Sequence, residues 1–264
     1  MCRMLAYAGM PVAPSELISA PPHSLLVQSY RPREMTSGVV NADGWGAALW
    51  LDDGKPEPAV YRSDAPIWSD PNLGWLGERL RARALVAAVR SATPGIGYGV
   101  ENVQPFAHGP LAFAHNGFVT GFRQGPQRAL RETLGRSAYE TIQGSSDSEV
   151  LFALVLDALD RGADSLAAAL RAGLAVLQRV CEEQDRDAVA TVLIADGSQL
   201  VGARWAHKVS PASLYVTPWP PAPGARAAGF CMASEPIDSA RWSEVPSAHL
   251  AIARPGKSVQ VEPL

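Results

Sequence analysis

The order in which hydrophobic periods follow one another is the tightest constraint on how this chain folds. Short apolar or alternating runs of strand character occupy residues 4–8, 45–51, 60–62, 84–89 and 111–115. Two stretches of helical spacing follow. In the first, Ser146 and Glu149 form a capping-box pattern ahead of Val150, Leu151, Leu154, Val155 and Ala158. In the second, residues 165–183 put Leu166, Leu170, Leu174, Leu177 and Cys181 on one face. A further helix is expected within residues 71–83. Strand character then returns at 189–195, 199–205, 214–217, 229–234 and 249–253, with a hairpin turn at Asp196-Gly197. Strands, then helices, then strands predict an α+β chain with sheets packed between helical layers. A proline-rich loop is expected after the strand at 4–8, residues 28–41 read as an exposed connection and 218–228 as a surface loop.

Bulk properties exclude several classes. The 264 residues are 47% hydrophobic and 19% charged, enough for a sizeable core. A formal net charge of -3 gives no basic surplus for nucleic acid. The longest apolar stretch, 166–177, is broken by Arg171, so no membrane span is expected. Cys2, Cys181 and Cys231 are scattered, match no metal-ligand spacing and fit a reducing cytoplasm; Cys181 and Cys231 read as core residues. No cleavable leader is evident, and the expected localisation is cytoplasmic.

Chemistry concentrates at five places. Removal of Met1 would make Cys2 the first residue, with an α-amine beside its thiol. An ordinary α-amine titrates near 7.7–8.0 and an ordinary thiol near 8.5, so one residue would carry both nucleophile and base. Asp43-Gly44-Trp45-Gly46 opens a strand, and two glycines around a tryptophan point to a closely packed backbone or a tight turn. Arg90 lies where a strand runs out into the loop 90–99, either as a binding group or in a surface ion pair. Asn116-Gly117 follows a strand and is either a turn or a pair of donors for an oxyanion. Asp147 sits in the first turn of a helix, where it serves the macrodipole or a ligand.

Taken together and in this order, Cys2, Asp43-Gly44-Trp45-Gly46, Arg90-Ser91-Ala92-Thr93, His115-Asn116-Gly117 and Ser146-Asp147-Ser148-Glu149 resemble the class II glutamine amidotransferases. The resemblance implies an N-terminal-nucleophile hydrolase with a four-layer αββα sandwich, a single domain over 1–264, or 2–264 after Met1 removal. It implies Cys2 as nucleophile, and Asn116 and Gly117 as the oxyanion donors. Arg90 would clamp the α-carboxylate of a γ-glutamyl group and Asp147 would face its α-ammonium, with Thr93 and Trp45 as further substrate-binding residues. No metal and no cofactor are implied.

The opening Met1-Cys2-Arg3 resembles the stand-alone branch of that family, and Gln28-Ser29-Tyr30, Asn41-Ala42 before Asp43-Gly44-Trp45-Gly46, Ala88-Val89 before Arg90-Ser91-Ala92-Thr93, and Ala233-Ser234-Glu235-Pro236 are more narrowly similar to the branch that serves ergothioneine biosynthesis. That likeness implies hydrolysis of γ-glutamyl-hercynylcysteine S-oxide, a small-molecule substrate whose trimethylammonium would suit Tyr30, Trp68 or Trp75. A glutaminase, a glutathione-type γ-glutamyl amidase and a non-catalytic scaffold are the alternatives. Gly95, Gly97 and Gly99 allow the loop after Arg90 to be a lid or a static turn. The oligomeric state is not legible.

Overall fold

The computed structural model describes residues 2–35, 38, 40–92, 99–220 and 229–264, with Leu76 described by its backbone alone. Among these residues the strands, in chain order, are β1 (Arg3–Val12), β2 (Trp45–Leu51), β3 (Ala59–Ser63), β4 (Ala82–Val89), β5 (Phe106–His108), β6 (Leu111–Val119), β7 (Ala188–Ala195), β8 (Leu200–His207), β9 (Tyr215–Trp219), β10 (Gly229–Ala233), β11 (Ser243–Glu244), β12 (His249–Ala253) and β13 (Gln260–Pro263). They form a seven-stranded sheet, β11-β9-β10-β1-β4-β2-β3, and a six-stranded sheet, β13-β12-β8-β7-β6-β5. Every pairing is antiparallel.

Pleating sends successive side chains to opposite faces, so each strand feeds two packing layers. In β1, Met4, Ala6 and Ala8 enter the layer between the sheets, while Leu5 and Tyr7 face outward. The inter-sheet layer is rich in alanine, including Ala48, Ala84, Ala88, Ala112, Ala114 and Ala195. Such small side chains let the two sheets lie close. The outer face of the larger sheet is covered through Leu17, Ile18 and Leu25, carried on the short helices Ser15–Ile18 and Leu25–Tyr30. The helices Asp147–Asp160 and Leu166–Glu183 cover the smaller sheet, with Val150, Leu154, Leu170, Leu174 and Leu177 in that core. Each such leucine contributes roughly 1.5–3 kcal/mol of burial. The layers therefore stack αββα, as the resemblance implied.

Three expectations need correction. Asn116-Gly117 is neither a turn nor a strand end, because β6 continues to Val119 and pairs with β7 throughout. A Cβ on Gly117 would overlap the Val189 carbonyl oxygen, so close strand approach is what the glycine serves. The expected exposed connection is buried at Gln28, Ser29 and Asn41. It begins inside the helix Leu25–Tyr30, and the Gln28 amide donates to the His23 and Glu235 carbonyls. The proline-rich segment after β1 also holds a turn of helix, Ser15–Ile18. Cys181 and Cys231 are core residues as expected.

Trp50 is the largest side chain in this alanine-rich layer. It is fully buried, its Nε1 donates to Pro110 O at 3.2 Å, and Gly197 leaves room for its ring. Replacing Trp50 with Ala should lower the unfolding free energy by about 3–5 kcal/mol, read as a drop in urea midpoint at unchanged slope.

Candidate active site

The alternation that builds the inter-sheet layer also decides what faces its end. By the same count, Cys2 follows the face of Met4, Arg90 that of Ala88, and Asn116 that of Ala114. The register Arg3↔Val89 sets Cys2 beside the exit of β4, and Cys2 Sγ lies 3.9 Å from Ser91 O. That exit is pinned: Arg90 N donates to Gly44 O at 2.8 Å, Asp43 N donates to Arg90 O at 3.1 Å, and Ala92 N donates to Asp43 Oδ2 at 2.8 Å. Arg90 is buried and Cys2 half-buried.

Gln104 ties the two sheets together at this end. Its Oε1 accepts from His115 N at 2.5 Å and its Nε2 donates to His115 O at 3.0 Å. On the other side its carbonyl lies against Gly46, where a Cβ would stand 2.6 Å away. Gly46 pairs with Ala88, and Ala88 with Met4, so β6 at His115-Asn116 is held over the Cys2 end of the larger sheet. Asn116 is fully buried, and its Nδ2 and Oδ1 have no partner among the described residues. A buried amide left open costs about 1–3 kcal/mol, which a ligand can repay.

Asp147 opens the helix Asp147–Asp160 behind an N-cap at Ser146, whose Oγ accepts from Glu149 N. Its Oδ2 accepts from Val119 N at 3.1 Å and its Oδ1 from Ser148 N at 2.8 Å. The capping-box glutamate does not turn back to the cap. Glu149 instead accepts from Gln143 N and Gly144 N at 2.8 and 2.7 Å. Burial pushes the Glu149 carboxyl up, opposed by those two N–H groups and by Arg131 and Arg62. A cleft of about 740 Å³ opens beside it, lined by Arg62, Phe106, Gln143 and Phe152 among others. The stem of Arg62 lies against Gly46.

Beneath Cys2 lies a buried ionic network. Arg3 Nε donates to Cys2 O at 2.8 Å, and Arg3 Nη1 meets Glu235 Oε1 at 3.0 Å. Glu235 also lies 2.7 Å from His23 Nε2 and accepts from Arg33 N and Glu34 N at 2.9 and 3.0 Å. Burial alone would push the Glu235 carboxyl up, but His23, the two backbone donors and Arg3 together bring it down to about 2.

A family model for class-II glutamine amidotransferases matches residues 14–217. This chain belongs to the class-II glutamine amidotransferases. It is 34% identical over 255 residues to a γ-glutamyl-hercynylcysteine sulfoxide hydrolase of Mycolicibacterium smegmatis, covering 96% of each chain. The hydrolase of the same name from Mycobacterium tuberculosis is 35% identical over 251 residues, 95% of this chain and 91% of that one. The probable glutamine amidotransferase DUG3 of Saccharomyces cerevisiae is 36% identical over 167 residues, 61% of this chain and 46% of its own. Among solved structures, a glutamine aminotransferase class-II domain protein of Silicibacter pomeroyi superposes with a TM-score of 0.72 at 23% identity, over 100% and 99% of the two chains. The glutamine phosphoribosylpyrophosphate amidotransferase of Bacillus subtilis gives 0.65 at 19% identity, over 99% of this chain and 49% of that one. The fold is thus that of N-terminal-nucleophile hydrolases.

In this amidotransferase-family chain Cys2, Arg90 and Asn116 share the inter-sheet face, while Asp147 approaches from the helix packed behind β6. The Trp45 side chain goes elsewhere. Its indole is in the outer layer, donating to Asp70 Oδ2 at 2.9 Å and packed on Tyr61. Any contact of Trp45 with a ligand at the cysteine end runs through its backbone. Thr93, with Gly95 and Gly97 of the expected lid, lies outside the described residues, as do Met1 and 221–228. Of the three aromatic candidates, Tyr30 and Trp68 meet edge to face at 6.2 Å, whereas Trp75 is 73% exposed on the helix Asn72–Arg79. Among the described residues no cluster of His, Cys, Asp or Glu is arranged for a metal, and no helix is long and apolar enough to cross a membrane.

Sequence reasoning placed Asp43 and Glu235 in motifs without a supporting role and passed over Gln104. One signal was available. Arg3 and Glu235 each stand as a lone charge beside an apolar strand, and buried charges require partners.

Because the Glu235 carboxyl is lowered in the folded protein, its contribution is present above the ordinary carboxyl range and is lost as pH falls toward about 2. Glu235→Gln should cost about 3–5 kcal/mol at pH 7 by stranding Arg3, and its deficit against wild type should shrink below pH 4, measured by urea unfolding.

Proposed function

We propose that this protein hydrolyses the γ-glutamyl amide of γ-glutamyl-hercynylcysteine S-oxide, releasing glutamate and hercynylcysteine S-oxide, as one cytoplasmic domain with Met1 removed. The end-to-end likeness to the two mycobacterial hydrolases carries this reading.

The chemistry follows from the groups at the cysteine end. Arg90 clamps the substrate α-carboxylate with parallel hydrogen bonds, and Asp147 faces the α-ammonium. Fixing both holds the γ-carbonyl at Cys2 and makes the attack effectively intramolecular. The Cys2 α-amine accepts the thiol proton as Sγ bonds to the γ-carbon. The carbonyl electron pair moves onto oxygen, where Asn116 Nδ2 and Gly117 N–H receive it. The C–N bond then breaks, the Cys2 ammonium returns its proton to the leaving amine, and a γ-glutamyl thioester remains. Water adds to the thioester, the amine takes its proton, and glutamate leaves with the thiol restored. The open amide of buried Asn116 supports its role as an oxyanion donor.

A second reading, a γ-glutamyl amidase of other specificity, is favoured by the partial likeness to the yeast protein. Glutamate release from γ-glutamyl-hercynylcysteine S-oxide, γ-glutamylcysteine, glutathione and glutamine decides between them. The hercynyl sulfoxide should be strongly preferred, and equal or faster cleavage of glutamine or glutathione would overturn the pathway assignment. Cys2→Ala should abolish release. Asn116→Ala should lower kcat about 100–1000-fold with the fold intact by circular dichroism. Arg90→Lys should raise KM more than it lowers kcat.

A further inference from the structure

His115 lies behind the expected oxyanion pair, on the opposite face of β6, and is fully enclosed. Its ring has two partners of fixed chemistry. Nε2 is 3.1 Å from Val189 O, and a carbonyl oxygen only accepts, so Nε2 carries the hydrogen. Burial holds the imidazole below its ordinary value, with Asp147 opposing, which favours the neutral ring. In a neutral ring protonated at Nε2, Nδ1 is an acceptor. The group 2.9 Å from Nδ1 is Ser148 Oγ, whose one hydrogen must therefore point to His115.

That direction has a consequence for Asp147. Ser148 Oγ is also 3.3 Å from Asp147 Oδ1, a contact that becomes a hydrogen bond only if the hydroxyl turns away from His115. Gln104 Nε2, 3.4 Å from the same oxygen, donates to it and leaves the hydroxyl hydrogen free to choose between the imidazole and the carboxylate. With the hydrogen on His115, Asp147 accepts from two backbone donors, Val119 N and Ser148 N.

We propose that His115 is a positioning residue for amino-group recognition: by accepting the Ser148 hydroxyl it keeps that hydroxyl off Asp147, so the carboxylate meets a ligand ammonium with its charge undiminished. This rests on the reading of Asp147 given above. His115 also sets the neighbouring backbone, since Gly117 packs directly against the His115–Val189 hydrogen bond, where a Cβ would overlap both partners. One imidazole thereby serves the ammonium site through Ser148 and the oxyanion strand through Val189.

The test uses the Cys2→Ala protein with L-glutamate and glutarate, which differ only in the α-amine, titrated calorimetrically. His115→Phe frees the Ser148 hydroxyl to bond Asp147. It should raise the Kd for L-glutamate about tenfold while moving that for glutarate less than about twofold. Adding Ser148→Ala removes the competing hydroxyl and should restore glutamate affinity, a rescue that damage to packing would not produce. Equal weakening of both ligands, or no rescue, overturns the inference and leaves the functional reading standing. If the Cys2→Ala parent binds neither ligand, the reading of Asp147 falls and the inference with it. Should His115→Phe fail to fold, the side-chain 15N spectrum of the otherwise unaltered protein decides: a hydrogen on Nε2 and none on Nδ1 supports the inference, and a hydrogen on Nδ1 overturns it.

Discussion

The carboxylate of Glu235 is the interaction on which the cysteine end depends. It lies in a setting that would ordinarily expel a charge, and it stays ionised because four groups converge on it. Each convergence fixes a different piece of chain. Arg3 ties it to the first strand and, through Nε, to the carbonyl of Cys2 itself. His23 ties it to the segment before the helix Leu25–Tyr30, and Arg33 and Glu34 bring the following loop across the sheet. A terminal residue is ordinarily the freest part of a chain. Here the residue beside Cys2 is anchored in the core, so the Cys2 thiol occupies a defined place.

A second constraint is the pleat. The side chains that reach the cysteine end come from different strands and different sheets, and alternation selects them without any loop having to fold around them. Sites held on regular elements are more rigid than sites on loops. Gln104 completes the arrangement by bonding both backbone groups of His115 from a segment packed against Gly46.

Much of this was legible in the sequence. Long periodic segments were readable because burial follows period, as the helix Leu166–Glu183 and strand β7 illustrate. Cys2, Arg90, Asn116 and Asp147 were marked by motif order, although that order says nothing about which face each side chain takes. What escaped were features decided by tertiary partners. Asn116-Gly117 has the local signature of a turn, and only pairing with β7 makes it strand. Gln28 and Asn41 look solvent-facing by residue type, and only their bonds to distant backbone permit burial. Trp45 was misleading because the pleat turns its ring into the outer layer, onto Tyr61 and Asp70, away from the inter-sheet face.

The alanines between the sheets carry a last implication. Their size sets how far apart the two sheets stand, one bearing the sulfur of Cys2 and the other the amide of Asn116. A bulkier side chain there would act as a wedge, prying the jaws apart from deep inside the hinge. Positions that look interchangeable by chemistry are thus calipers, and the gap between the Cys2 thiol and the Asn116 amide is gauged by residues buried deep between the sheets.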